Sequence, residues 1–210
     1  MHSIVSLISG RGSNLEAIVK TAAAKSWDVQ FTGVISNNPE AKGLEFARSQ
    51  GISTHVVNHR DFASREAFDQ ALMNEIDRLG ADLIVLAGFM RILTPAFIKH
   101  YEGRMINIHP SLLPLYPGLH THQRALDGGD QQHGATVHFV SAEVDRGSII
   151  CQGEVPILPN DDASSLAARV LKMEHHIYPL AVEWFINQRL QIEGNTVHVH
   201  PPESQYISFA

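Results

Sequence analysis

The run "DFASREAFDQALMNEIDRLGADLIVLAG", residues 61–88, carries two hydrophobic periods back to back. Phe62, Phe68, Leu72, Ile76 and Leu79 fall near helical spacing and Gly80 suits a C-terminal cap, so the first part predicts a helix with one buried face. Residues 82–88 are a short apolar run of strand length. The same alternation extends outward. Residues 3–9 (SIVSLIS), 29–36 (VQFTGVIS), 53–57 (STHVV) and 105–109 (MINIH) are further strand-like runs, separated by helix-like segments. Strands alternating with helices predict an α/β fold with a mostly parallel twisted sheet flanked by helices, Rossmann-like in its N-terminal half. In such sheets ligands lie beyond the carboxyl ends of the strands, so chemistry is expected in the strand-to-helix loops.

The pattern changes after residue 110. A proline-rich loop leads to a short helix near 121–127, and "ATVHFV" (135–140) and "SIICQGEV" (148–155) read as antiparallel strands added in the C-terminal half. Residues 164–190 read as one long helix bent at Pro179. Gly194-Asn195, between "LQIE" and "TVHVH", has the form of a two-residue hairpin turn. No repeat and no Gly/Ser linker interrupts the 210 residues, so a single domain over 1–210 is expected.

Totals narrow the function. A net charge of -6 argues against a nucleic-acid or acidic-membrane surface, and any anionic small substrate must be met by local basic groups. The one cysteine, Cys151, allows neither an intramolecular disulfide nor a cysteine zinc cage. The N-terminus has no leader pattern, and the run at 83–90 is far short of the roughly 20 apolar residues of a membrane span, so a cytoplasmic location is expected.

Three loci stand out. "SGRGSN" (9–14) follows the first strand and opens a helix, so N–H groups of Gly12, Ser13 and Asn14 could face a phosphate with Arg11 nearby. It is neither a dinucleotide fingerprint nor a Walker loop. Alternatively, the glycines only make a tight turn and Ser13 or Asn14 caps the helix. In "MINIHP", Asn107 and His109 point to one face of a strand that Pro110 helps to end, which places an amide and an imidazole together, either as a site or as partnered core groups. Asp145 in "SAEVDRGSII" lies in a loop that could return it to the same sheet end, or simply occupy a turn beside Gly147. As a set, Asp145 would orient and favour the protonated His109, His109 would move protons, and Asn107 would donate to a developing oxyanion. No Ser or Cys is placed as a nucleophile for an acyl-enzyme, so direct attack by a substrate nucleophile is the simpler acyl transfer.

The strings "SGRGSN", "ASREAFD", "LAGFMRIL", "INIHPSLLPLYPGLHTH", "HGATVHFV", "VDRGSII" and "MEHHIYPL", spread over nearly the whole chain, resemble the phosphoribosylglycinamide formyltransferase family. The resemblance implies transfer of a formyl group from 10-formyltetrahydrofolate, a cosubstrate, to the amine of glycinamide ribonucleotide in purine biosynthesis. It implies a phosphate-binding half over 1–100 and a folate-binding and catalytic half over 101–210. By similarity, Asn107, His109 and Asp145 are catalytic. Gly12, Ser13 and Asn14 with Leu171, Lys172, Met173 and Glu174 bind the nucleotide substrate, Glu174 on its amine. Arg65, Met90, Arg91, Ile92, Leu93, Asn107 and the loop Ser141, Ala142, Glu143, Val144 and Asp145 bind folate. The family also suggests a cis bond before Pro114. This chain departs from the family in the loop after Asp145, where it reads Arg146, Gly147 and Ser148.

Small molecules are the partners so implied, with no nucleic acid and no membrane, in a monomer or a homodimer. No metal is expected, since His120 and His122 have no Cys or carboxylate at ligand spacing; His120 is instead expected near the catalytic set. Two enzyme alternatives share these groups: formyl-folate hydrolysis, with water as acceptor, and transfer-RNA formylation, disfavoured by the charge and the absence of a basic C-terminal domain. A nucleotide-binding module without turnover would leave Asn107, His109 and Asp145 without a task.

Overall fold

The computed structural model describes residues 1–208. The chain forms two compact units, Met1–Asn107 and the remainder from Ile108, so the division falls within a strand.

The first unit contains β1 (His2–Ile8), α1 (Ser13–Ala24), β2 (Val29–Ser36), α2 (Gly43–Ser49), β3 (Thr54–Val56), α3 (Arg65–Leu79), β4 (Leu83–Leu86), α4 (Pro95–His100) and the start of β5 (Met105–His109). Its strands run β3-β2-β1-β4-β5, all parallel. Ile4, Val5, Leu7, Ile8, Leu83, Ile84 and Val85 are fully buried. Near-continuous apolar strands are what a parallel sheet covered on both faces requires, and each such side chain contributes roughly 1.5–3 kcal/mol of burial.

Helix α3 starts later than the spacing of Phe62 implied, because the Ser64 hydroxyl accepts from the Ala67 N–H and fixes the N-cap. Phe62 stays outside and packs edge-on against Phe68, with ring centroids 5.8 Å apart. Gly80 closes the helix as expected. Thr94 caps α4 with its hydroxyl, followed by Pro95 in the first turn, where a missing N–H costs nothing.

The second unit adds α5 (Thr121–Gly128), β6 (Gln132–Phe139), β7 (Ile149–Pro156), α6 (Ala163–Ile186), the β8 (Leu190–Glu193) and β9 (Thr196–Val199) hairpin, and β10 (Tyr206–Ser208). Strands β6 and β7 are antiparallel, as read from sequence, and β10 runs parallel to β7. Gly194-Asn195 is the two-residue turn between Glu193 and Thr196. Helix α6 opens on a capping box between Asp162 and Ser165 and continues through Pro179 to Ile186. It carries Tyr178, Trp184, Met173 and Ile177 into the core of this unit. No helix among the described residues is long and apolar enough to cross a membrane.

Candidate active site

In the first unit the loop after β1 is shaped by backbone contact. Gly12 has φ 74, and a Cβ on it would lie 2.9 Å from the Cα of Gly43. Only glycine combines that left-handed conformation with so close an approach. The Gly43 N–H donates to the Gly10 carbonyl at 3.0 Å, pinning the loop to the start of α2. The first intrahelical bond of α1 runs from Glu16 N to Gly12 O, so the amides of Ser13 and Asn14 precede the helical ladder and aim out of its N-terminus. Neither Ser13 nor Asn14 is a cap: the N-cap position is Gly12, with no side-chain cap. Arg11 is exposed beside the loop. This is an amide-lined end with an adjacent cation, suited to an anion.

The segment after β4 also lies in this unit. Its Met90 N–H donates to Ser9 Oγ at 2.8 Å, and Met90 and Ile92 are 72% and 62% exposed, whereas Leu93 is buried. The Arg91 guanidinium lies over the Phe68 ring, 5.9 Å from its centroid. Arg65 is the exposed first residue of α3. Two exposed apolar side chains on either side of a guanidinium group would suit a flat apolar ring system bearing an anionic tail. Asn107 ends the stretch of β5 that pairs with β4, opposite Leu86, and is half-buried.

In the second unit, Asp145 reaches His109 as the sequence suggested. Its Oδ2 lies 3.4 Å from His109 Nδ1, with the two side chains only 9% and 8% exposed. The Nε2 of His109 donates to the Tyr116 carbonyl at 2.9 Å, since a carbonyl can only accept. Both ring nitrogens therefore face oxygen acceptors. Asp145 Oδ2 also accepts the Gly118 N–H at 2.9 Å, and its other oxygen lies 4.0 Å from His138 Nε2. The aspartate adopts φ 55, a left-handed conformation in which Asp is among the better-tolerated residues. Its loop is closed at its neck by Phe139 N donating to Ser148 O at 2.9 Å, and within it Ser141 Oγ donates to the Glu143 carbonyl. The Leu113–Pro114 peptide is cis.

Sequence reasoning weighed His122 only as a metal ligand and missed His133 and His138. His138 lies on the same strand face as the buried Thr136, a period-two signal that was available. Burial lowers its pKa, while its bond to the Phe139 carbonyl and the charge of Asp145 pull the other way. His122 is half-buried, and burial first and then His109 lower its pKa, whereas His120 is exposed. His133 meets His122 edge-on at 5.2 Å, and burial followed by His122 depresses it to about 4. Among the described residues no group of three or more His, Cys, Asp or Glu is arranged to hold a metal. Cys151 is buried, which pushes its thiol pKa up and leaves it inert.

Leu171, Lys172, Met173 and Glu174 occupy one turn of α6 and point in different directions. Lys172 is exposed and Glu174 is buried. Met173 is fully buried against β7, where a Cβ on Gly153 would collide with it, so its side chain serves the core.

Residues 2–182 match the family model described as formyl transferase. The chain is 51% identical over 193 residues to the phosphoribosylglycinamide formyltransferase of Escherichia coli (strain K12), covering 92% of this chain and 91% of that one. It is 41% identical over 189 residues to the trifunctional purine biosynthetic protein adenosine-3 of Homo sapiens, covering 90% of this chain but 19% of that protein. Among solved structures, the phosphoribosylglycinamide formyltransferase of Coxiella burnetii superposes with a TM-score of 0.91 at 45% identity, covering 100% of this chain and 99% of the other.

Proposed function

The chain belongs to the formyl transferase family, and from that premise we propose that it transfers a formyl group from 10-formyltetrahydrofolate to the amine of glycinamide ribonucleotide in purine biosynthesis. The observation that carries the reading is the buried His109–Asp145 pair, two residues along the chain from Asn107, in a chain so similar throughout its length to enzymes of that name.

In this reading the amine attacks the formyl carbon. A carbon–nitrogen bond forms there, the bond from that carbon to N10 of the folate breaks, and one proton passes from the amine to N10. Asn107 donates its side-chain N–H to the formyl oxygen as it becomes an oxyanion. His109, whose Nε2–H the Tyr116 carbonyl accepts, offers that same proton to the oxyanion. Asp145 holds the imidazole in place and favours its charged form as negative charge develops. Exclusion of water by the buried pair strengthens each of these interactions.

Substrate binding follows the local chemistry. Gly12, Ser13 and Asn14 take the ribonucleotide phosphate, and Glu174, on the turn Leu171, Lys172, Met173 and Glu174, takes its amine. Arg65 and the segment Met90, Arg91, Ile92 and Leu93 take the folate with Asn107 and with the loop Ser141, Ala142, Glu143, Val144 and Asp145. The pterin meets backbone and apolar groups and the anionic tail meets the guanidinium groups. The 210 residues act as one formyltransferase domain in the cytoplasm, with these two small molecules as the partners required, without metal, nucleic acid or membrane.

His109→Ala is expected to lower kcat by roughly 10²- to 10⁴-fold with both substrates still bound, the scale of general acid–base catalysis. Steady-state kinetics at saturating concentrations check it, and a rate within threefold of the parent chain would remove His109 from the mechanism.

A further inference from the structure

A carboxylate buried at the root of the 90–94 segment has no part in the chemistry just described. Asp69, on the second turn of α3, is 2% exposed. Its Oδ2 accepts the backbone N–H of Thr94 at 2.6 Å, a short bond of the charge-assisted kind, and its Oδ1 is buried with no hydrogen-bond partner among the described residues. Burying a carboxylate to hold one amide is costly, and a neutral acceptor would do the same for less. The bond therefore has a use beyond folding.

That use follows from what surrounds it. The segment is held at two points, Met90 N–H to Ser9 Oγ at one end and Thr94 N–H to Asp69 at the other. Between them Met90 and Ile92 are exposed and Arg91 rests on Phe68, the residue before Asp69. Arg65 lies one turn before Asp69 on the same helix face. Helix α3 thus carries Arg65, the ring beneath Arg91, and the anchor that fixes the end of the segment.

We propose that Asp69 is a positioning residue for formyl-folate, locking the 90–94 segment to α3 so that Arg91 and Arg65 are held at a fixed spacing. The proposal rests on the assignment of Arg65 and residues 90–93 to folate. Loss of the anchor lets the segment move, so bound folate must order it at the expense of affinity.

Asp69→Ala is expected to raise KM for 10-formyltetrahydrofolate roughly tenfold, as for one hydrogen bond to a charged group, while KM for the ribonucleotide stays within about twofold and kcat within about threefold. Asp69→Asn, which keeps an acceptor oxygen, recovers most of the loss. Thr94→Pro removes the same bond from the donor side, at a φ of −72 that proline adopts, together with the hydroxyl cap on Phe97, so Thr94→Val, which loses the cap but keeps the N–H, is its control; should the alanine variant fail to fold, the split should appear in the proline variant and not in the valine variant. An unchanged folate KM in Asp69→Ala and Thr94→Pro, an equal rise for both substrates, or no recovery by Asp69→Asn overturns the proposal. Arg91→Ala separates the two levels. A raised folate KM there with a normal one in Asp69→Ala overturns the positioning role alone, and normal values in both overturn the folate assignment with it.

Discussion

His109 presents a hydrogen-bond demand that only its neighbours explain. A carbonyl lies 2.9 Å from its Nε2 and a carboxylate 3.4 Å from its Nδ1, so both ring nitrogens face oxygen acceptors. The histidines behind it are built the opposite way. His133, 1% exposed, has its Nε2 buried without a hydrogen bond, faces His122 and His109, and has only Asp130 and the Pro110 carbonyl favouring charge. Its pKa falls from the ordinary 6.5 to about 4. Between those values the unfolded chain binds a proton that the folded chain refuses, so folding stability is complete above pH 6.5 and declines as pH drops toward 4. His133 alone accounts for on the order of 2 kcal/mol of that decline, allowing for partial screening by solvent. Urea unfolding at pH 7.5 and 4.5 checks this: His133→Gln should lose less stability across the interval than the parent chain, and an equal loss would place the effect elsewhere.

At the scale of the element, the loop from Ser141 to Ser148 decides whether Asp145 meets His109. The chain's departure at Arg146, Gly147 and Ser148 does not loosen it, because Ser148 bonds back to Phe139 and Gly147 packs its backbone on the Phe139 carbonyl. A Cβ at Gly147 would collide with that carbonyl. Gly147→Ala should therefore displace the aspartate and lower kcat by roughly tenfold or more, since a shift on the order of 1 Å at a catalytic group can cost up to about 10²-fold. Kinetics alongside thermal unfolding would check this, and unchanged kcat in a folded variant would show that the loop tolerates the displacement. Elements of this kind were unevenly legible in the sequence. Helix α3 was readable from its period and its Gly80 stop, but its start was not, because the Ser64 cap outweighs the pull of Phe62 toward the helical face. The three-residue strand β10 carries too short a pattern to announce itself beside Pro201 and Pro202.

For the whole molecule, the parallel character of β1 to β5 and the antiparallel pair β6–β7 were legible because apolar runs and turn residues agree along the chain, whereas the order of the strands needed coordinates. The pairing of His109 with Asp145 was legible only as a return of a loop to a strand end, and its 3.4 Å spacing needed coordinates. The histidine cluster behind it, spread over residues 109, 122, 133 and 138, was not legible as a cluster, because no local pattern links positions on β5, α5 and β6. A residue-level reading alone also leaves the acceptor open, since amine and water could use the same three groups. The most direct test measures 10-formyltetrahydrofolate turnover by the full chain with and without glycinamide ribonucleotide, counting both products. The account predicts one formylated ribonucleotide for each tetrahydrofolate released and negligible release without the ribonucleotide. Equal tetrahydrofolate release in its absence would contradict it.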